Sequence, residues 1–303
     1  MLSFSPFENL DAEKYRRFAS RYPELKSCEY SYANLFAWQI FFNTEYADFE
    51  DGVVLRMKIN GKYTYLFPLT ERERQLDAIQ EILDFSSQSG SVTEFSLLPK
   101  DFAERIALEF GAEKVYFDRD YSDYIYEKES LCTFNGHHLH AKKNHLHKFF
   151  SLYGNVYSYS EIKDPSDIEE CKKFNEKWYA LNGDAGNSLA HEKEAVLRML
   201  DNFFDLGLLG GMIRISGNLC AYTLASSNYD FSDTVIIHAE KGLYNIQGIY
   251  PAICSEFLKN SCEKYKFVNR EDDLGDEGLR QSKTSYAPIA LEDKYFALLK
   301  NKG

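Results

Sequence analysis

Residues 52–69 read GVVLRMKINGKYTYLFPL, two runs of eight residues on either side of Asn60-Gly61. Both runs are rich in β-branched and aromatic residues, and an Asn-Gly pair enters positive φ readily, so the stretch predicts a tight β-hairpin. Working outward, Asp11–Ser20 carries helical periodicity and is followed by the aromatic run YSYANLFAWQIFF at 30–42. After the hairpin, Thr70 and Glu73 have capping-box spacing at the head of a helix reaching about Phe85. TEFSLLP (93–99) is a strand, Asp101–Phe110 a helix and DYIYEKE (123–129) a further strand. The first half therefore reads β-β-α-β-α-β.

The second half repeats this grammar. NVYSYSEI (155–162) precedes helices near Pro165–Tyr179 and Glu192–Phe204, and LGGMIRISGNLCAYTLASS (209–227) reads as a hairpin about Gly217-Asn218. Next come the strand TVIIHAEKG, a helix starting near Gly248, the strand YKFVNRE, a short helix over Glu277–Ser282 and an extended SYAPIAL. Two mixed α+β units in tandem are expected, joined near residue 130.

The chain has 303 residues, 44% of them hydrophobic, enough for two cores. A net charge of −12 disfavours broad capture of nucleic acid or an anionic bilayer, so transfer RNA is a disfavoured partner. The apolar window LFAWQIFF is too short to span a bilayer, and the N-terminus lacks the basic flank and apolar run of a signal peptide, so a soluble, cytoplasmic protein is expected. Six scattered cysteines with no C-x-x-C pair read as reduced thiols rather than a zinc site.

The stretch HHLHAKKNHLHKFF (137–150) holds five of the seven histidines, yet no two stand four apart, the spacing of helical metal ligands. Leu139, Leu146, Phe149 and Tyr153 recur at helical spacing, so the reading is a helix with surface histidines and no metal. Residues 130–160 contain no Asp or Glu. That island, with Lys142, Lys143 and Lys148, is either a solvated helix face or a local anion site, and composition leaves both open.

FVNREDDLGDEGLRQSKTSYAP (267–288) gathers Asn269, Arg270, Asp273, Arg280, Lys283 and Tyr286 after a strand and around a short helix, with Gly275 allowing a sharp turn. A self-neutralising polar turn is the competing reading. In HAEKGLYNIQGIYPAICSEF (238–257), strand, loop and helix follow in order, with Glu240 near the strand end and Gly248 before the helix. A helix N-terminus of this kind can seat a pyrophosphate. Coenzyme A or acyl-CoA is thus permitted as cofactor, although the usual G-x-G or G-x-A acyl-CoA signature is absent.

KKNHLHKF, NLFAWQ, DYIYEKE, IHAEKG, QGIYPAI and above all VNREDDLGDEGLRQSKTSYAP resemble the bacterial family related to the C-terminal domain of phosphatidylglycerol lysyltransferase. The resemblance spans nearly the whole chain. It implies two tandem folds of the GCN5-related N-acetyltransferase type, shared with the Fem aminoacyltransferases: residues 1–130 without a complete site, and residues 131–303 with the active site. It implies an acyl or aminoacyl transferase that passes an acyl group from acyl-CoA or aminoacyl-tRNA to an amine or hydroxyl of a small molecule or peptide, in a cleft between the halves. The alternative is a non-catalytic module of the same fold that binds a nucleotide or anionic metabolite.

Carried onto this sequence, the resemblance marks Glu240 as base or positioning acid, Asp273 as a second candidate, and Tyr286 as proton donor to the leaving group. Lys142, Lys143, Asn144, Gly248, Asn269, Arg270, Gly275, Arg280 and Lys283 are marked for donor or anion binding. Arg270, Arg280 and Lys283 are expected to converge with Lys142 and Lys143 on one anion site.

Overall fold

In the computed structural model, which describes residues 2–87, 92–182, 186–229 and 232–300, the first half runs β1 (Ser5–Pro6), α1 (Ala12–Ala19), α2 (Tyr32–Phe42), β2 (Glu45–Asp48), β3 (Val53–Ile59), β4 (Lys62–Tyr65), α3 (Gln75–Ser86), β5 (Val92–Leu98), α4 (Lys100–Phe110) and β6 (Ala112–Phe117). Asn60 and Gly61 take φ of 51° and 77°, the positive values a tight hairpin turn requires, and β3 pairs antiparallel with β4 across them. Asp11 caps α1 by accepting from the Lys14 N–H, and Asn43 ends α2 in the left-handed conformation.

The remainder comprises β7 (Asp123–Glu127), α5 (Lys128–Thr133), α6 (His140–Tyr153), β8 (Tyr157–Glu161), α7 (Pro165–Asn182), α8 (Gly186–Asp201), β9 (Leu209–Ile215), β10 (Asn218–Ser226), β11 (Thr234–Gly242), α9 (Ile249–Ser261), β12 (Phe267–Asn269), α10 (Glu277–Thr284), β13 (Ala290–Glu292) and β14 (Tyr295–Lys300). The strands form two seven-stranded mixed sheets, ordered β1-β2-β3-β4-β5-β14-β6 and β8-β9-β10-β11-β12-β7-β13. In the first, β4 and β5 are parallel and joined through α3; in the second, β11 and β12 are parallel and joined through α9. A parallel pair needs such a crossover, whereas the other connections can be tight turns. The expected α+β class, two mixed and mostly antiparallel sheets with helices, is what the chain adopts.

Place for place the two sheets match, with one exchange. The sixth place of the first sheet is held by β14 from the end of the sequence, and that of the second by β7 from the first half. β14 lies between β5 and β6, antiparallel to both, and β7 pairs antiparallel with β12. DYIYEKE thus completes the second sheet rather than the first. β14 was not anticipated from the sequence, where only SYAPIAL was read as extended. The compact units accordingly part at Asp123/Tyr124, and the segment from Glu292 and residues around Asn228 belong with the first unit. A cut at 130/131 differs from this partition because strand pairing over long sequence separations, not proximity in the chain, decides membership.

Two local readings change. Thr70 and Glu73 form no capping box: α3 begins at Gln75 after a short 3₁₀ turn at Arg72–Arg74, its N-cap Arg74 makes no side-chain cap, and the Thr70 hydroxyl is buried without a partner among the described residues. The second hairpin turns on Ser216 and Gly217, both at positive φ, one residue earlier than expected.

The core of the second unit gathers on α9, whose Ile249, Ala252, Ile253 and Phe257 meet Leu146 and Phe149 of α6 and Val235 and Ile237 of β11. Burying a side chain of this size contributes about 1.5–3 kcal/mol. That packing fixes α6 and β11, the two elements that carry the site described next. Among the described residues no helix is long and apolar enough to cross a membrane.

Candidate functional site

β11 and β12 keep register for three residue pairs, Thr234–Phe267, Val235–Val268 and Ile236–Asn269, after which β11 continues to Gly242 while the chain leaves β12. Beyond the last pair Arg270 follows β12 directly, and Glu240 lies four residues further along β11. Arg270 spans the opening: its Nη2 donates to Glu240 Oε1 at 2.9 Å, and the two side chains are only 14% and 7% exposed. Tyr286 is buried beside them, with the Arg270 guanidinium carbon 4.5 Å from its ring centroid. From α6, Lys142 Nζ reaches the same ring at 3.9 Å. Cations packed on an aromatic face gain from the ring quadrupole, more so when desolvated.

The charges in this cluster do not balance, with two cations against one carboxylate. Burial raises the Glu240 pKa despite Arg270 and Lys142 beside it. Lys142 is shifted the other way: burial, then the positive charge of Arg270, lowers its pKa. Burial also works against the charge of Arg270, but the Glu240 carboxylate keeps the guanidinium firmly protonated. Tyr286 and the nearby Cys254 are pushed up chiefly by burial and remain protonated. Arg270 Nη1 is buried with no hydrogen-bond partner among the described residues. A buried donor left unmade costs about 1–3 kcal/mol, and more for a charged group.

The other residues marked in the sequence form the frame of this loop. Asp273 is fully buried and accepts from Tyr124 Oη (2.5 Å), Arg280 Nε (3.0 Å), Arg280 Nη2 (2.6 Å) and the Gly275 N–H (3.0 Å). Burial opposes its charge, but those donors hold the carboxyl well below the usual carboxylate range. Lys283 Nζ donates to the carbonyls of Arg270 (2.7 Å) and Asp272, and the buried Asn269 accepts from the Glu271 N–H at 2.7 Å. Gly275 sits at φ 77° before α10, which Asp276 caps. Arg280 and Lys283 therefore fix the turn that carries Arg270.

On α6, Lys143 Nζ donates to Asn135 Oδ1 at 2.7 Å, and Asn144 is exposed. Of the expected basic group, Lys142 and Arg270 come together; Lys143, Arg280 and Lys283 have these other engagements. The five histidines from 137 to 147 are exposed. Gly248 takes φ 79° at the N-cap of α9, and a Cβ there would stand 2.2 Å from the His145 carbonyl oxygen, so the α6 backbone lies directly against this helix start.

A second rung was not anticipated. His238 lies two residues before Glu240, at the point where β11 bulges against β10 between the pairings of Ile237 and Ala239. Its Nδ1 lies 2.8 Å from Glu271 Oε1 and its Nε2 lies 2.7 Å from Ser226 Oγ. His238 and Glu240 of β11 thus hold successive loop residues, Glu271 and Arg270, and Glu271 bears a φ of 58° that non-glycine residues adopt at some cost. Tyr124 and His238 lay in runs read only as strands, and nothing in their spacing marked them.

Residues 21–298 match the family model described as phosphatidylglycerol lysyltransferase, C-terminal. A crystal structure of a conserved protein of unknown function from Bacteroides thetaiotaomicron is 29% identical, covers 99% of this chain and 100% of its own, and superposes with a TM-score of 0.90. L-PGS of Bacillus licheniformis (15% identity, 97% and 93% coverage, TM-score 0.66) and FemX (9%, 99% and 98%, 0.62) share the fold. The uncharacterized protein MYCGA3080 of Mycoplasmoides gallisepticum is 24% identical over 180 residues, 57% of this chain and 55% of that protein, so the chain spans about half the length of the curated relative it matches.

Proposed function

The chain belongs to the family of phosphatidylglycerol lysyltransferase C-terminal domains, and from that premise we propose that it transfers an acyl or aminoacyl group from an activated donor to an amine or hydroxyl acceptor at the opening between β11 and β12. The observation that carries this reading is the excess positive charge there, two cations against Glu240, with Arg270 Nη1 buried and without a hydrogen-bond partner among the described residues. Attack on a donor carbonyl places negative charge on its oxygen, and a preorganised guanidinium N–H and ammonium stabilise that charge where water cannot. Glu240, its pKa raised by burial, takes the proton from the incoming nucleophile, and the leaving oxygen or sulfur departs with a proton from Tyr286. The new bond joins the acceptor nitrogen or oxygen to the carbonyl carbon; the donor's ester or thioester bond breaks. Asp273, Asn269, Gly275, Arg280 and Lys283 position Arg270.

Contact between α6 and Gly248 supports an aminoacyl ester over acyl-CoA, since the α9 N-terminus that would receive a pyrophosphate is already faced by the His145 carbonyl. The test is a transfer assay with radiolabelled aminoacyl-tRNA and, separately, labelled acetyl-CoA, each supplied with a panel of amine acceptors. Label should move from the tRNA ester to an amine in wild type and fall at least tenfold in Arg270→Lys, which keeps the charge but changes the hydrogen-bonding fork. Binding of either donor with no transfer to any acceptor would favour the non-catalytic module.

A further inference from the structure

Beyond this opening the second unit has a cleft of about 350 Å³, lined by Lys177, Trp178 and Leu181 of α7 and by Gly242, Leu243, Tyr244 and Asn245 after β11. Its volume lies at the lower end of the range of small-molecule sites, roughly 300–1,000 Å³. The aromatic wall is held in place from beneath. Trp178 Nε1 donates to the Gly242 carbonyl at 3.0 Å, and Tyr250 Oη donates to the same oxygen at 3.1 Å. Behind the indole, the buried Lys241 packs its ammonium 4.0 Å from the Trp178 ring centroid and pairs with Glu192 at 2.6 Å. Tyr244 is the exception: it is 69% exposed, with its ring 6.4 Å from Trp178 and 5.7 Å from Tyr250. A large aromatic ring left in water beside an indole is an unfilled stacking surface.

The charge of the lining selects among planar ligands. In a protein carrying −12, none of the seven lining residues among those described is acidic, and one, the exposed Lys177, is a cation. Asn245 adds an amide able to donate and accept. A cationic aromatic ligand would find no counter-charge among these residues. A flat heterocycle with hydrogen-bonding edges and an attached anion meets aromatic faces, amide and ammonium together.

We propose that this cleft binds a purine nucleotide, its base stacked on Tyr244 above the buried Trp178 and its phosphate at Lys177. The site stands without the transfer reading, because binding is read with no turnover. The same chemistry is offered by a free mononucleotide and by the 3′ end of an RNA.

Trp38 and Trp178 are the only tryptophans in the sequence, so a Trp38→Phe protein reports on the cleft by Trp178 fluorescence alone. Adenosine 5′-monophosphate should change that signal saturably. Tyr244→Ala, at an exposed position where folding is checked by circular dichroism, should weaken binding between about fivefold and a hundredfold, as stacking on one aromatic ring predicts. Tyr244→Phe should retain it. Lys177→Gln should weaken the nucleotide a few-fold while leaving adenosine unchanged. A CCA trinucleotide that binds more tightly than the mononucleotide identifies an RNA terminus as the source; weaker binding identifies the free nucleotide. Absence of a saturable response to either, or an unchanged affinity in Tyr244→Ala, would overturn the proposal.

Discussion

Two buried ionic clusters, one in each unit, are built on opposite terms. In the first unit Lys294 Nζ lies 2.5 Å from Glu29 Oε1 and 2.6 Å from Asp123 Oδ1, with Cys28 Sγ at 3.6 Å. Asp123 also accepts from the Cys28 N–H at 2.8 Å, and Ser27 Oγ donates to Glu29. One ammonium serves two carboxylates, and every partner is occupied by another. Cys28, Glu29 and Asp123 present three metal-capable atoms within 4.8 Å of one another, but the Lys294 ammonium lies among them. In the second unit the ratio is reversed, and among the described residues one guanidinium nitrogen has no hydrogen-bond partner. Saturation marks a strut, and unmet charge marks a place for a ligand.

The largest effect expected from this contrast is on the strut. Lys294→Met leaves Asp123 and Glu29 buried without a cation and should cost about 3–5 kcal/mol, the range for breaking a buried pair on one side. Urea denaturation measures it. A loss below about 1 kcal/mol would mean that the carboxylates reach water and that the contrast drawn here is false.

Next in size is the change at the unsaturated cluster. Lys142→Met removes a charge whose protonation is already opposed by burial and by Arg270, so stability should hold or rise while transfer falls by about a hundredfold, the usual consequence of losing one oxyanion donor. The paired readouts separate the roles, since a strut would lose stability and a site loses rate.

Much of this was legible in the sequence where the cause is local. The Asn60-Gly61 turn and the helix near Asp11–Ser20 depend on a few consecutive residues, and both form as read. The exchange of β7 and β14 was hidden because each pairs with strands far away in the chain, and nothing within DYIYEKE or Tyr295–Lys300 encodes its partner. The site shows the same division. Glu240, Arg270, Tyr286 and Lys142 stood in motifs and meet in space. Arg280 stood in the same motif, but its role follows from Asp273, whose burial no spacing reveals. The cleft at Trp178 and Tyr244 was unreadable because its walls come from α7 and from a loop more than sixty residues away.

Arg280 was expected to hold a ligand, and its geometry now predicts a different outcome. Arg280→Ala removes the Nε and Nη2 donors to a buried carboxylate, but the guanidinium is partly open to solvent, so the loss should be about 1–3 kcal/mol rather than the full cost of a broken buried pair. Because these bonds depress the Asp273 pKa, their contribution is present above the unfolded-state value, about 3.9, and fades as pH falls below it. The difference between wild type and variant in chemical denaturation should therefore shrink in acid. Affinity for a donor should drop only as far as Arg270 loses its place.

The smallest effect tests the saturated cluster from its edge. Glu292 is pushed up to about 7, first by burial and then by the Asp123 carboxylate, with Lys26 and Lys294 opposing and Asp293 adding to the rise. The fold thus holds the proton more tightly than the unfolded chain, whose glutamate titrates near 4.5. Between these values the native state binds more protons, so stability declines as pH rises from about 4.5 to about 7 and is level above. Allowing for the part of the side chain that meets water, the decline should be about 1–2 kcal/mol. Glu292→Gln should flatten that slope, matching wild type near pH 5 and exceeding it at pH 8. A slope that survives the substitution would mean that a group other than Glu292 takes up the proton.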